Sequence, residues 1–282
     1  MSLFLVGTPI GNLSDITFRA IETLKTVDRI LAEDTRQTAK LLAHYGIQTP
    51  TESFYEHNQG GKIPRIVEEM KSGKTFALVS DAGRPGISAP GHYLVLASIA
   101  AGIQVEAIPG PSAGLTALVI SGLPSDRFLF EGFLPREGKA RRRQIRQLAG
   151  VEQTLVLYEA PHRLLDTLRD LLAGWGDRKA AVARELTKRY EEVLRGPLSE
   201  IIAHFEQQEP RGEFSLVIEG KVGGKEEDRT IDVKSRLKTY LEEGMSRSEA
   251  AKKVSKELGV PKNAVYELAI EGIEDEEEAG AD

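Results

Sequence analysis

The 282-residue chain contains no cysteine, so disulfides, thiol nucleophiles and thiolate metal sites are excluded from its chemistry. Histidine is also scarce. His44, His57, His92, His162 and His204 lie far apart, and no pair has the spacing of zinc ligands, so no metal site is read. The most apolar stretch, residues 93–103, is far shorter than the roughly 20 residues that cross a bilayer, and no basic-then-apolar leader opens the chain. These absences point to a cytoplasmic protein with no membrane partner. Aromatic residues make up only 6%, but hydrophobic residues reach 40%, enough for sizeable cores.

Net positive charge is lacking as well. The formal charge is −6, from 43 acids against 37 bases. Six of those acids fall in Glu274-Asp275-Glu276-Glu277-Glu278 and Asp282, a tail over residues 272–282, so the remainder of the chain is neutral. Within it, Arg136, Lys139, Arg141, Arg142, Arg143 and Arg146 crowd one segment that only Glu137 opposes. A charge run of this kind ordinarily covers a solvated helix face. Five arginines against one lysine favour phosphate contact, because the guanidinium fork matches phosphate bidentately.

Three loops carry most of the functional information. Gly7-Thr8-Pro9-Ile10-Gly11 follows an apolar run at residues 3–6, Ser80 to Gly86 follows residues 75–79, and Pro109-Gly110-Pro111-Ser112-Ala113 follows residues 105–108. Each precedes a helical pattern. In open α/β sheets, ligands sit beyond the carboxyl ends of such strands, and glycine lets backbone approach them. No loop has the Lys-Ser/Thr pair of a phosphate cradle. The dinucleotide fingerprint also fails, since Pro9 and Asn12 stand where its second and third glycines belong, although Glu33 and Asp34 end the next strand where a ribose acid would lie. The loops suit a polar ligand without phosphates, as S-adenosylmethionine is.

Strand and helix alternate through residues 1–122, which predicts βαβ units and a largely parallel sheet. A break at Gly122-Leu123-Pro124 opens a second α/β domain over 123–222, with strands near 128–133, 154–158, 179–183, 192–194 and 214–218 and helices near 162–172 and 198–207. Residues 221–230 read as a linker. Residues 231–271 read as a helix-turn-helix-like module, with helices over 233–243, from Ser246 to Leu258 and from Ala264; Ser246 and Glu249 form a capping box.

Methyl transfer to a hydroxyl needs in-line positioning and a proton acceptor. Acids and bases gather at predicted strand ends. Lys188 is the expected base, its pKa lowered by burial near a cationic sulfonium, with Glu185 or Glu159 orienting it; Asp34 is a further catalytic candidate. His57 and Asn58 either hold a base or a phosphate or simply cap a strand.

The run from Val6 to Thr17 resembles the first motif of the methyltransferase I family of small-subunit ribosomal RNA, within the tetrapyrrole-methylase superfamily. Ala32-Glu33-Asp34-Thr35-Arg36, Glu56-His57-Asn58, Ser80 to Gly83, Pro109 to Ala113, Tyr158 to Arg163, Arg184 to Lys188 and Gly212 to Ser215 match its further motifs in order. Arg84, Gly86 and Ala89 depart from the family pattern. The resemblance implies two α/β domains with a cofactor cleft between them plus the C-terminal helical module. It implies S-adenosylmethionine touching Pro9, Gly83, Ile87, Ser112, Ala113, Tyr158, Phe214 and Ser215. It also implies 2′-O-methylation of a cytidine in the decoding region of 16S ribosomal RNA, and a homodimer. On this reading Arg36, His57, Asn58, Arg141, Arg142, Arg143 and Arg163 meet the RNA. Two rivals stay open: a methylase of carboxylate-rich tetrapyrroles, and a nucleotide-binding regulator using its helical module on DNA.

Overall fold

Five short strands, each followed by a helix, build the first half in the computed structural model. The structure describes residues 2–221, 233, 235–241, 243–258 and 265. The strands are β1 (Ser2–Val6), β2 (Arg29–Ala32), β3 (Thr51–Ser53), β4 (Phe76–Val79) and β5 (Gln104–Ile108). They form one sheet in the order β3-β2-β4-β1-β5, every pairing parallel. Its helices are α1 (Phe18–Thr26), α2 (Thr35–His44), α3 (Gln59–Lys71), α4 (His92–Ala100) and α5 (Ala113–Ser121). Side chains set two starts: Thr17 accepts the Ala20 N–H for α1, and Asp34 accepts the Arg36 N–H for α2. β4 is buried along its whole length, as a central parallel strand covered on both faces must be.

The second sheet comprises β6 (Phe128–Phe133), β7 (Thr154–Glu159), β8 (Lys179–Arg184), β9 (Glu192–Pro197) and β10 (Phe214–Ile218). Its order is β6-β7-β10-β8-β9, with only β6 and β7 parallel. The last strand inserts between β7 and β8, so Glu213 and Ser215 arrive beside Tyr158 and Arg184 from the opposite direction. Helices α6 (Gly138–Leu148), α7 (Leu164–Trp175) and α8 (Leu198–Gln207) cover one face around Leu157, Leu168, Phe205 and Leu216. The arginine-rich run masks α6 in the sequence: only Arg141, Ile145 and Leu148 of that helix are buried.

Ile10, from the first loop of the first half, packs with Val156, Ala183, Leu186 and Val217 of the second half. Residues 1–220 accordingly form a single compact unit.

Residues 221–282 form a separate unit. In it, residues 235–241 and α9 (Arg247–Leu258) are helical, and Leu237, Tyr240, Ala250, Ala251 and Val254 share a small core. The capping box forms: the Ser246 N–H donates to Glu249 Oε2 (3.1 Å), and the Glu249 N–H donates back to Ser246 Oγ (3.4 Å). The expected linker beyond residue 221, most of the third helix and the acidic tail lie outside the described residues.

Candidate active site

The three loops meet. Thr8 and Gly83 exchange backbone hydrogen bonds (2.8 and 3.1 Å), and Thr8 Oγ1 donates to the Ser80 carbonyl at 3.2 Å. Gly7 and Gly110 cross so closely that a Cβ on Gly110 would stand 2.9 Å from the Gly7 Cα. Only glycine allows this approach.

A cleft of about 400 Å3 opens where these loops face the second sheet. Ala82, Gly83, Ile87, Ser112 and Ala113 line it from one side, and Phe133, Tyr158, Gly212, Phe214 and Ser215 from the other. Seven of the eight expected cofactor contacts therefore share one cavity. Pro9 is the exception: it lines a neighbouring cavity of about 390 Å3, because the loop turns its proline away toward α2. The Tyr158 hydroxyl accepts the Gly114 N–H at 3.0 Å and packs against Phe130 and Phe133. Burial raises its pKa despite that hydrogen bond.

The neighbouring cavity holds Lys188, with Gly11, Gln37 and Lys40. The Lys188 ammonium donates to Glu185 (2.8 Å) and Glu213 (3.1 Å), while the Glu185 carboxylate also accepts the Glu213 N–H at 3.0 Å. Backbone strain supports this clasp: Glu185 and Thr187 take φ of 51° and 66°. Gly212 and Gly11 leave the room it needs, since a Cβ on Gly212 would stand 2.6 Å from the Glu185 carboxyl and one on Gly11 would collide with the Lys188 side chain. The expected fall in the Lys188 pKa is reversed. Burial lowers it, but the hydrogen bonds from both carboxylates outweigh burial and hold the ammonium above its ordinary value. Conversely, burial raises the Glu185 carboxyl, and the Lys188 ammonium with the Glu213 amide brings it below the usual range.

Other expected site residues are engaged elsewhere. Glu159 touches the cleft but does not orient Lys188. Its side chain is fully buried, accepts from Thr167 Oγ1 and the Ala160 N–H, and pairs with Arg163 Nε at 3.3 Å. Arg163 in turn donates to the carbonyls of Leu134 and Pro135, so it is held in this network. Arg141 departs from expectation in the same way. It is buried and donates to Asp170 (2.7 Å), Thr167 Oγ1 (2.9 Å) and the Pro135 carbonyl. Acids and hydroxyls distant in sequence thus neutralise a cation that looks unopposed locally. Asp34 lines neither cavity; it caps α2 and chelates the Arg36 guanidinium, which lowers its pKa to about 2. Asn58 closes the turn after β3 by accepting the Tyr55 N–H, whereas His57 stands exposed beside it. Arg36, Arg142 and Arg143 are exposed.

Asp81 was not given a role by the sequence, yet it lines both the cleft and the second cavity, and Glu33, noted there only as the acid ending its strand, lines the cleft beside it. The Asp81 N–H donates to Glu33 Oε2 (3.3 Å), and the Asp81 carboxylate accepts the Asp34 N–H (2.9 Å). Desolvation raises both carboxyls, reinforced at Glu33 by the charge of Asp81 and at Asp81 by the charge of Asp34. The available signal was the position of Asp81 right after β4, at the carboxyl end of a central strand.

The chain matches the family model for tetrapyrrole (corrin/porphyrin) methylases over residues 2–202, and that for the RsmI C-terminal HTH domain over residues 227–272. It is 47% identical over 274 residues to the ribosomal RNA small subunit methyltransferase I of a Synechocystis strain, covering 95% of this chain and 97% of that one. With the protein of the same description from Thermotoga maritima it shares 52% identity over 219 residues, which is 78% of this chain and 98% of that relative. Among solved structures, diphthine synthase aligns at TM-score 0.60 and 16% identity over 78% of this chain and 90% of that one. A uroporphyrin-III-C-methyltransferase from Thermus thermophilus aligns at TM-score 0.53 and 22% identity over 80% and 97% of the two chains. At these identities the structural neighbours speak for the fold alone.

Proposed function

The chain belongs to the tetrapyrrole methylase family, and on that premise we propose that it methylates small-subunit ribosomal RNA, at the 2′-hydroxyl of a cytidine in the decoding region, with S-adenosylmethionine as donor. The observation carrying this reading is the pairing of two adjoining cavities, one lined by main chain and small residues, the other holding a cation. The first suits S-adenosylmethionine. Ala82–Gly83 and Ser112–Ala113 offer backbone groups, Tyr158 and Phe133 offer aromatic surface, and Glu33 offers a carboxylate to a cationic ligand. Bound there, the donor supplies an electrophilic methyl carbon. The second cavity, where Lys188 is held protonated, suits the phosphate-bearing nucleotide, and the clasp of Glu185 and Glu213 keeps that ammonium in place. In-line positioning across the two cavities is then the main catalytic contribution.

RNA phosphates are assigned to the exposed cations Arg142 and Arg143 of α6, with Arg136, Lys139 and Arg146 nearby, and to Arg36 and His57. Such a substrate implies a cytoplasmic location. Among the described residues no helix is long and apolar enough to cross a membrane.

A homodimer is part of the same reading. Helices α4 and α5 are largely apolar and leave Tyr93 (62% exposed), Ile99 (61%) and Val119 (72%) in the open, and Phe128 and Leu129 of the edge strand β6 are exposed as well. Helices of this kind belong inside an assembly, and exposed apolar side chains on them fit an interface. A second copy is the proposed cover.

The test is label transfer. The protein is incubated with methyl-labelled S-adenosylmethionine and either small subunits lacking the modification or uroporphyrinogen. Label should enter the subunit RNA, at a ribose whose 3′ linkage then resists alkali. Label in the tetrapyrrole alone, or on a base in place of the ribose, overturns the proposal.

A further inference from the structure

We propose that the Asp81 carboxylate accepts the proton from the acceptor hydroxyl during methyl transfer, an assignment that rests on the function proposed above. The hydroxyl oxygen must reach the methyl carbon while its proton lies within hydrogen-bond distance of the base, about 2.6–3.2 Å. A base therefore belongs where the cofactor cleft and the second cavity join. Two ionisable side chains line both spaces among the described residues, Asp81 and Glu213. Glu213 is committed to the Lys188 ammonium at 3.1 Å. Lys188 already carries its proton and lines only the second cavity.

Asp81 is free of both handicaps. It makes no ion pair among the described residues, and a single hydrogen bond reaches its carboxylate there, from the Asp34 N–H to Oδ1. No hydrogen bond reaches the second oxygen among the described residues. Asp81 is exposed at the cleft edge, and its partial desolvation there strengthens its basicity, as does the charge of Asp34; the Asp34 N–H and the Arg36 guanidinium oppose this without cancelling it. The other titratable groups lining the two cavities are Glu33 at the end of β2, Lys40 on α2, Arg84 on the same loop, and Tyr158, Glu159, Lys188 and Glu213 from the opposite half. In the step itself, the hydroxyl oxygen forms a bond to the methyl carbon as the carbon–sulfur bond breaks. The electron pair of that bond stays on sulfur and discharges the sulfonium to a neutral thioether. The hydroxyl proton passes to Asp81 and then to water.

Asp81→Asn tests this, because asparagine keeps an oxygen for the Asp34 N–H and removes the basic one; Asp81→Ala is made beside it, and calorimetric cofactor binding shows which variants fold. Methylation of undermodified small subunits is followed in single turnover with the full-length protein. The rate should fall about 10²–10⁴-fold, with cofactor affinity within threefold of wild type and subunit binding unchanged. In 13C spectra of aspartate carboxyls, the resonance lost in the variant should titrate in the wild type above the ordinary value of about 3.9. If wild type transfers no label to subunits, the proposed function itself falls. If wild type is active and the variants react within tenfold of it, Asp81 is not the base. Cofactor affinity falling in step with the rate makes Asp81 a cofactor ligand and overturns the assignment, as does titration at or below the ordinary value.

Discussion

Gly7 and Gly110 cross backbone to backbone, a Cβ on Gly7 standing 2.8 Å from the Gly110 Cα. The contact holds the loops after β1 and β5 together, and with Thr8 and Gly83 it makes one wall of the cleft from main chain. Gly110→Ala must push these loops apart. By analogy with overpacking in a core it should cost about 1–3 kcal/mol of stability, and it should weaken S-adenosylmethionine binding more than tenfold. Thermal melting and calorimetry measure both. An unchanged affinity would show that the crossing supports the fold without shaping the cleft.

Lys188→Met should leave cofactor affinity unchanged, because Lys188 lies outside the cofactor cleft. Subunit binding should weaken, while turnover at saturating subunit stays within tenfold of wild type. A loss of a hundredfold or more at saturation would return the proton-acceptor role to the lysine. The clasp also has a pH signature. Glu185 is held below its unfolded value, so its stabilisation is present above about pH 4.3 and is lost as pH falls through the lower folded value. Lys188 is held above its unfolded value, so its share is complete below about pH 10.4 and is lost at still higher pH. The stability difference between wild type and Glu185→Gln should therefore be flat from about pH 6 to 9 and shrink in acid.

The arginine run should divide into two classes. Arg141→Gln strands Asp170 and Thr167 and should destabilise the protein by about 1–3 kcal/mol. Arg142→Gln with Arg143→Gln should leave melting unchanged. That pair should instead weaken subunit binding and flatten its logarithmic salt dependence by about 1.4–1.8 units, at roughly 0.7–0.9 per phosphate. Coincident slopes in a salt series would make α6 a solvated face.

Ile99→Glu on α4, or Val119→Glu on α5, should convert the proposed dimer to a folded monomer. Sedimentation equilibrium reads the mass and circular dichroism the fold. A wild type that sediments as a monomer at micromolar concentration would remove the second copy as the cover of this face.

Local chemistry was legible wherever it depends on neighbours in the chain. The apolar runs at residues 30–32 and 214–218 are strands because continuous apolar stretches are buried, and the Ser246–Glu249 box forms because its partners are three residues apart. Glycine-rich strand ends announced the cleft for a similar reason: close approach demands glycine before any partner is known. The α6 helix was hidden because its arginines dominate the composition of a segment that buries only three side chains.

Tertiary structure alone decided what the charges do. Arg141 meets Asp170 and Thr167 from more than twenty residues away, and Glu159 is spent on Thr167 and Arg163, so neither serves where local reading placed it. Asp81 becomes the open carboxylate at the junction of two cavities only because β4 lies between β1 and β2. The sequence by itself determined the βαβ half, the main-chain cleft and the family to which the chain belongs, since these follow from periodicity, glycine and contiguous motifs. Ionisable side chains act over a few ångströms of space and not of sequence, so which of them is paired and which stays free was settled only by the folded chain.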